Sequence, residues 1–476
     1  MTLAAGAHGV IVIHGIGEGQ RRGDLLARVT NGIADSLLES LPAGEAGPLG
    51  DPVIRDMDAF ANPPSASLRI PTTGGAETTW IFKEAFWADS FPAPPPETVF
   101  RWLLRHNAGA HLQAVWHGLS RDPTNDQDFN PEEPEPPEWS SGGWTKTIYR
   151  AGLLLGGVLL LVLAVLAPVL RFVLGPLYWV SQVGPARRFL GFLHRIDPLL
   201  SRSVGDAQRY LEHGMWSANV RGVLEEVLSD MLHDRYGPVS DVTIVAHSMG
   251  AVVAYDALAA GGRIAAEIAL LPKARRKKIT LFTVGAGINQ TFRLAKTSNT
   301  YARRRFARPL APEVTGLDSF GLDEVEELRS RFYWVDVHAR FDPVPAGPLA
   351  DELQDQARLA PEQVKKRRVI NLDSPVRDHS IYWENKDLFV PRLLRAINSG
   401  EYPWEEAGIT PAKVARHTKR VGRLWLARLA VVAAVVGASV AAAFLTPVSW
   451  VLISAIALTG VGIYRWLSSD IAGDLA

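Results

Sequence analysis

The chemistry of this chain concentrates around one serine. Residues 242–256 read VTIVAHSMGAVVAYD. An apolar strand-like run enters Ala246-His247-Ser248-Met249-Gly250 and continues into a small-residue helical stretch. A strand, a tight turn with Ser at its apex and a helix form a nucleophile elbow. Gly250 and Ala251 keep the turn's neighbours small, and Ala246 stands where the motif usually carries Gly. The Ser248 hydroxyl would then sit over a helix N-terminus, whose dipole favours developing negative charge.

A serine hydroxyl needs a base and an acid that orients the base. After the elbow, the strand-like stretch 332–337 runs into His338-Ala-Arg-Phe-Asp342-Pro343, which places Asp342 in the loop past a strand end. Stretch 369–372 is followed by the loop holding Asp378 and His379. His379 is the only histidine beyond Asp342 apart from His417, which lies in a basic stretch. The order Ser248, Asp342, His379 is that of an elbow-type triad. Asp336 is a poorer acid because it falls inside its strand, and Asp378 adjoins the histidine and would tune the site.

An oxyanion needs two preorganised N–H donors. Met249, the residue after the nucleophile, supplies one. Ile16 supplies the other, in the loop His14-Gly15-Ile16-Gly17-Glu18-Gly19 that follows the apolar stretch 10–13. Here glycine lets the backbone turn a donor inward. The same loop does not fit a dinucleotide fingerprint, because its third glycine has the wrong spacing.

The elements that must hold these residues alternate. Stretches 10–13, 67–70, 79–87, 242–246, 279–284, 332–337 and 369–372 read as strands. Residues 24–41 and 206–233 have helical spacing. Such alternation predicts an α/β fold, a mostly parallel sheet with helices on both faces. The α/β domain is expected in two pieces, 1–121 and 201–400. Between them lie a linker at 122–147, acidic and rich in proline, and a hydrophobic insertion at 148–200. A basic juxtamembrane segment, 401–428, and a hydrophobic hairpin, 429–464, follow.

Residues 429–464 carry no charge, and Pro447 splits them into legs of 18 and 17 residues. Each leg is long enough to span a bilayer, so a transmembrane helical hairpin is expected. Residues 151–170 are also uncharged. Arg171 follows, and 148–186 could span, re-enter or lie in the interface. The next run, Arg187 to Arg195, mixes cations with large apolar groups and suits a membrane surface. Lys413, Arg416, Lys419, Arg420, Arg423 and Arg428 precede the hairpin without an acid among them. The positive-inside rule then puts residues 1–428 in the cytoplasm. The basic runs at Lys273, 275–278, 303–305 and 365–368 are solvated loops or attract anionic headgroups.

Composition removes other classes. Lys+Arg and Asp+Glu are both 50, so no basic excess points to nucleic acid. The absence of cysteine excludes disulfides and thiolate chemistry. No HExxH or other metal-ligand spacing occurs, and neither metal nor cofactor is expected.

The His14-Gly-Ile-Gly loop and the Ala-His-Ser-Met-Gly elbow resemble those of the α/β-hydrolase superfamily, in its lipase and esterase branch. They are similar to the motifs of GPI inositol-deacylase-like and related bacterial membrane lipases. The resemblance covers residues ~5–20 and ~205–395. It implies an α/β-hydrolase fold plus transmembrane helices, and a serine esterase without a cofactor. Ser248, Asp342 and His379 would be catalytic, with the Ile16 and Met249 amides as oxyanion donors and His14, Gly15, Gly17 and Gly250 as supports. The expected partners are a lipid or other acyl ester and a membrane, the bacterial inner membrane with the catalytic domain in the cytoplasm. A thioesterase or acyltransferase on the same triad, or a silent fold serving as a membrane interaction module, are the alternatives.

Overall fold

The computed structural model describes residues 7–16, 21–40, 53–71, 77–90, 205–315, 331–339, 342, 344–345, 347–369, 371, 379–386 and 388–397. All of them belong to one compact unit. Eight strands make one sheet: β1 (Ala7–Ile13), β2 (Val53–Asp58), β3 (Ser65–Pro71), β4 (Glu77–Ala85), β5 (Val239–His247), β6 (Lys278–Val284), β7 (Phe332–Ala339) and β8 (Val364–Val369). The strand order is β2-β3-β4-β1-β5-β6-β7-β8. From β4 to β8 every pairing is parallel, while β2 and β3 add an antiparallel edge.

The central strands are apolar because both their faces are covered. In β1, Ile11 and Ile13 join one core with α3 (Gly214–Leu232) and α4 (Met249–Ala257). The alternate residues Val10 and Val12 join the opposite core with α1 (Asp24–Ser40) and α5 (Phe389–Ile397). This period of two assigns each residue of β1 to one side of a three-layer α/β architecture.

The chain leaves β1 toward β4 and leaves β5 toward β6. These connections diverge between β1 and β5, and the crevice beyond their C-terminal ends is the place where open α/β sheets hold ligands. The loops after β1 and β5 are those carrying His14–Ile16 and Ser248.

Several boundaries differ from the sequence expectation. The strand expected at 369–372 is β8, Val364–Val369, five residues earlier. Its VKKRRV sequence masks it, since cations suit an edge strand, where they deter further pairing. The expected stretch 79–87 is β4, Glu77–Ala85, and Trp87 lies beyond its end. β2 was not foreseen, because VIRDMD lacks an apolar run. The helical region 206–233 is two helices, α2 at 205–212 and α3, broken at the extended His213. Both are fastened to α4 by the buried Asp256. Its carboxylate accepts from the Tyr210 hydroxyl at 3.0 Å, and Arg221, Arg305 and Arg308 approach it at 3.2, 3.0 and 2.7 Å.

The readings at 122–147, 148–200, 401–428 and 429–464 fall outside the described residues. Among the described residues, no helix is long and apolar enough to cross a membrane.

Candidate functional site

Ser248 lies between β5 and α4 with φ 56° and ψ −119°. A non-glycine residue at positive φ outside the left-handed helical basin is strained by about 1–3 kcal/mol. The surroundings hold it there. Its N–H donates to Val284 O at 2.9 Å, and its carbonyl accepts from Gly287 N at 3.2 Å and Ala251 N at 3.2 Å. Ser248 is only 5% exposed.

Two glycines make room for this turn. A Cβ on Gly250 would stand 2.6 Å from Ile13 O and 2.8 Å from His14 O, so α4 starts against the backbone of the β1 loop. A Cβ on Gly15 would stand 2.5 Å from Ser248 Cβ and 2.9 Å from its Oγ. Gly15 therefore abuts the serine side chain itself.

His14 orients that loop. Its Nε2 accepts the Trp87 N–H at 3.1 Å, so its Nδ1 carries the proton and donates to Gly15 O at 2.7 Å. The Trp87 indole stacks on the ring at 4.9 Å and 12°, and its Nε1 donates to His14 O at 2.9 Å. Burial holds the imidazole neutral, with its pKa lowered to about 4. With the Gly15 carbonyl drawn to His14, the trans peptide turns the Ile16 N–H the opposite way. Met249, the first residue of α4, brings a backbone N–H from the helix's first turn, which has no intrahelical acceptor.

The acid and base come from the far half of the sheet. Asp342 is fully buried at its side chain. Its Oδ2 accepts from His379 Nδ1 at 2.8 Å and from the Tyr382 hydroxyl at 2.7 Å, and its Oδ1 accepts from Val344 N at 2.9 Å. The Tyr382 oxygen in turn accepts the Ala339 N–H at 2.7 Å. An acceptor on Nδ1 fixes the His379 tautomer and leaves Nε2 as the basic nitrogen. Gly285, at φ +54°, clears this pair, since a Cβ there would lie 2.7 Å from Asp342 Oδ2 and 3.1 Å from His379 Nδ1.

His247 links the halves. Its Nε2 donates to His379 O at 2.9 Å, and the two rings lie 4.7 Å apart. Desolvation, with the nearby His379 second, lowers its pKa to about 3, so it acts as a neutral donor.

The structure thus places Ser248, Met249, Gly250, His14, Gly15, Ile16, Asp342 and His379 at one end of the sheet, with His247 joining the Ser248 turn to His379. Gly17 and Asp378 lie outside the described residues. Asp336 stays inside β7, away from His379. Its carboxylate accepts from Thr283 Oγ1 at 2.7 Å and Leu349 N at 2.9 Å, and burial raises its pKa to about 6. Sequence reasoning missed Tyr382, Trp87, Gly285 and the bridging role of His247. Tyr382, three residues after His379, was the most accessible of these. Among the described residues, no three His, Asp or Glu side chains converge as a metal site would require.

No protein family model, curated protein or solved structure matches the chain. What the site can do follows from its own geometry: a strained, enclosed serine, a tautomer-fixed imidazole and two candidate amide donors are parts suited to acyl transfer.

Proposed function

We propose that the protein is a serine hydrolase of the lipase and carboxylesterase type, working through an acyl-enzyme. The observation that carries this reading is the buried Asp342–His379 pair, tied through His247 to the strained turn of Ser248. Ser248 Oγ attacks the acyl carbonyl while His379 Nε2 takes its proton. Asp342 holds the tautomer and stabilises the imidazolium. The Ile16 and Met249 amides receive the oxyanion, and His379 returns the proton to the leaving alcohol. Water then repeats the sequence on the acyl-enzyme.

A lipid ester is the substrate class we infer, with a membrane-anchored protein. The support is the pair of uncharged runs at 151–170 and 429–464 and the basic stretch before the second. A fluorophosphonate probe tests the chemistry. Wild type should be labelled covalently, and folded Ser248→Ala should not. Equal labelling of both would overturn the assignment, as would an inert wild type.

A further inference from the structure

The end of β4 and the start of α3 both lie at the catalytic end of the sheet. β4 ends at Ala85, in register with Ile13, directly before His14. α3 runs back from that end, because its last turn meets the start of β5, where Val239 N donates to Asp234 Oδ1 at 3.1 Å. Its first residues, Gly214 to Trp216, are therefore on the catalytic side.

Of the five exposed large apolar side chains among the described residues, four are at this end. Phe60, 94% exposed, belongs to the β2–β3 connection, and Met57 to the end of β2 just before it. That turn lies beside the end of β4, through the pairs Asp58 with Ser65 and Ser65 with Lys83. On the other flank are Met215, 69% exposed, and Tyr301, whose hydroxyl is 3.0 Å from Ser217 Oγ. Only Leu270, 86% exposed, lies at the opposite end, before β6 begins. A single exposed apolar residue is ordinary, whereas a set flanking one site is a recognition feature.

Cations accompany both flanks. The Arg22 guanidinium donates to Ala61 O and Asn62 Oδ1, which fixes it on the Phe60 turn beside exposed Arg21. Arg303 and Arg304 are exposed next to Tyr301. Of the acids on the Phe60 turn, Asp58 accepts the Phe60 and Ala61 N–H groups and Asp56 is exposed, while Glu212 lies three residues before Met215 on the other flank. The sequence between 90 and 205 contains the uncharged residues 151–170 and then Arg187, Arg188 and Arg195. That composition, together with the cations on both flanks, points to lipid rather than protein at that edge.

We propose that the catalytic end of the sheet rests on a bilayer carrying anionic headgroups. Phe60 enters the interface on one flank, and Met215 with Tyr301 on the other. In consequence Ser248 faces the layer that holds its ester. That consequence rests on the hydrolase reading, while the surface itself does not.

The test uses the full chain in phosphatidylcholine–phosphatidylglycerol vesicles. Phe60→Cys, Met215→Cys and Leu270→Cys are each labelled with bimane, without background because the native chain has no cysteine. Lipids with doxyl groups on their acyl chains act as quencher. Labels at 60 and 215 should be quenched several-fold more than the label at 270. Equal or absent quenching at 60 and 215, the pattern of a protein partner covering that edge, would overturn the proposal. Phe60→Asp should lower hydrolysis of vesicle lipid several-fold while Ser248 in detergent keeps its fluorophosphonate reactivity. Unchanged vesicle hydrolysis would count against the surface. If wild type fails to react with the probe, the hydrolase reading falls, and the quenching pattern still decides the surface.

Discussion

The two halves of the site are held by different forces. Around Ser248 the fit is steric. Gly15 and Gly250 let backbone pass within contact of the serine and of the β1 loop, and φ 56° is imposed by the strand and helix on either side. Around Asp342 the fit is polar. Three donors converge on one carboxylate, from Val344, His379 and Tyr382. Steric fits fail abruptly, because a backbone carbonyl cannot yield to a new methyl group. Polar fits fail by degrees, because one hydrogen bond of several is worth about 1 kcal/mol. The difference predicts which changes abolish function and which only tune it.

The largest effect separates chemistry from scaffold. Ser248→Ala and His379→Ala should each lower turnover of an activated ester by up to about 10⁶-fold, and the double variant by little more, since a triad acts as a unit. Circular dichroism should show the fold retained. Additive losses would mean that the two residues do not share one step.

Gly15→Ala tests the steric half. Its methyl would stand 2.5 Å from Ser248 Cβ, so the serine or the Ile16 amide must shift. A shift of about 1 Å costs on the order of 10²-fold in rate. Wild-type kcat in this variant would refute the tight contact. Tyr382→Phe tests the polar half. It removes one donor from Asp342 and leaves the Ala339 N–H unpaired in the interior. A stability loss of about 2 kcal/mol is expected, with a smaller loss in kcat than Gly15→Ala gives. A larger loss would make Tyr382 part of the chemistry rather than a brace.

The same division explains what the sequence revealed. The steric half was legible, because small residues beside a serine, between a strand and a helix, are a local pattern. Ser248, Met249, Gly250, His14 and Gly15 all lie next to the β1 and β5 ends. Asp342 and His379 were legible only through strand counting, and β8 itself was displaced because four consecutive cations hid it. The braces were not legible, since they join residues far apart in the chain. His14 meets Trp87 across 73 positions and His247 meets His379 across 132. Nothing local marks a tyrosine that donates to a carboxylate 40 positions away.

Each half also has a buried carboxylate at the root of its loop, and these give the smallest and most selective test. On the steric side, Glu84 of β4 accepts the Gly23 N–H at 2.5 Å, at the start of α1, while its other oxygen is buried without a partner. Burial raises its pKa from 4.5 to about 7. On the polar side, Asp336 is supported by two donors and reaches only about 6. The folded state binds the Glu84 proton more tightly than the unfolded state. Wild-type stability therefore falls as pH rises from about 4.5 through about 7, and is level above that. Glu84→Gln cannot titrate and can keep the Gly23 contact through its amide oxygen. Relative to wild type, it should gain about 1 kcal/mol between pH 6 and pH 8. Asp336 has nearly finished its own transition by pH 6, so Asp336→Asn should gain only a few tenths of a kcal/mol over the same interval. Its amide must also turn a donor toward either Thr283 or Leu349, which makes it less stable than wild type at every pH. Urea unfolding of both variants at pH 6 and pH 8 measures the contrast. A Glu84→Gln offset that does not change with pH would show that this carboxylate is ionised throughout and that the β1 loop is better solvated than its enclosure implies.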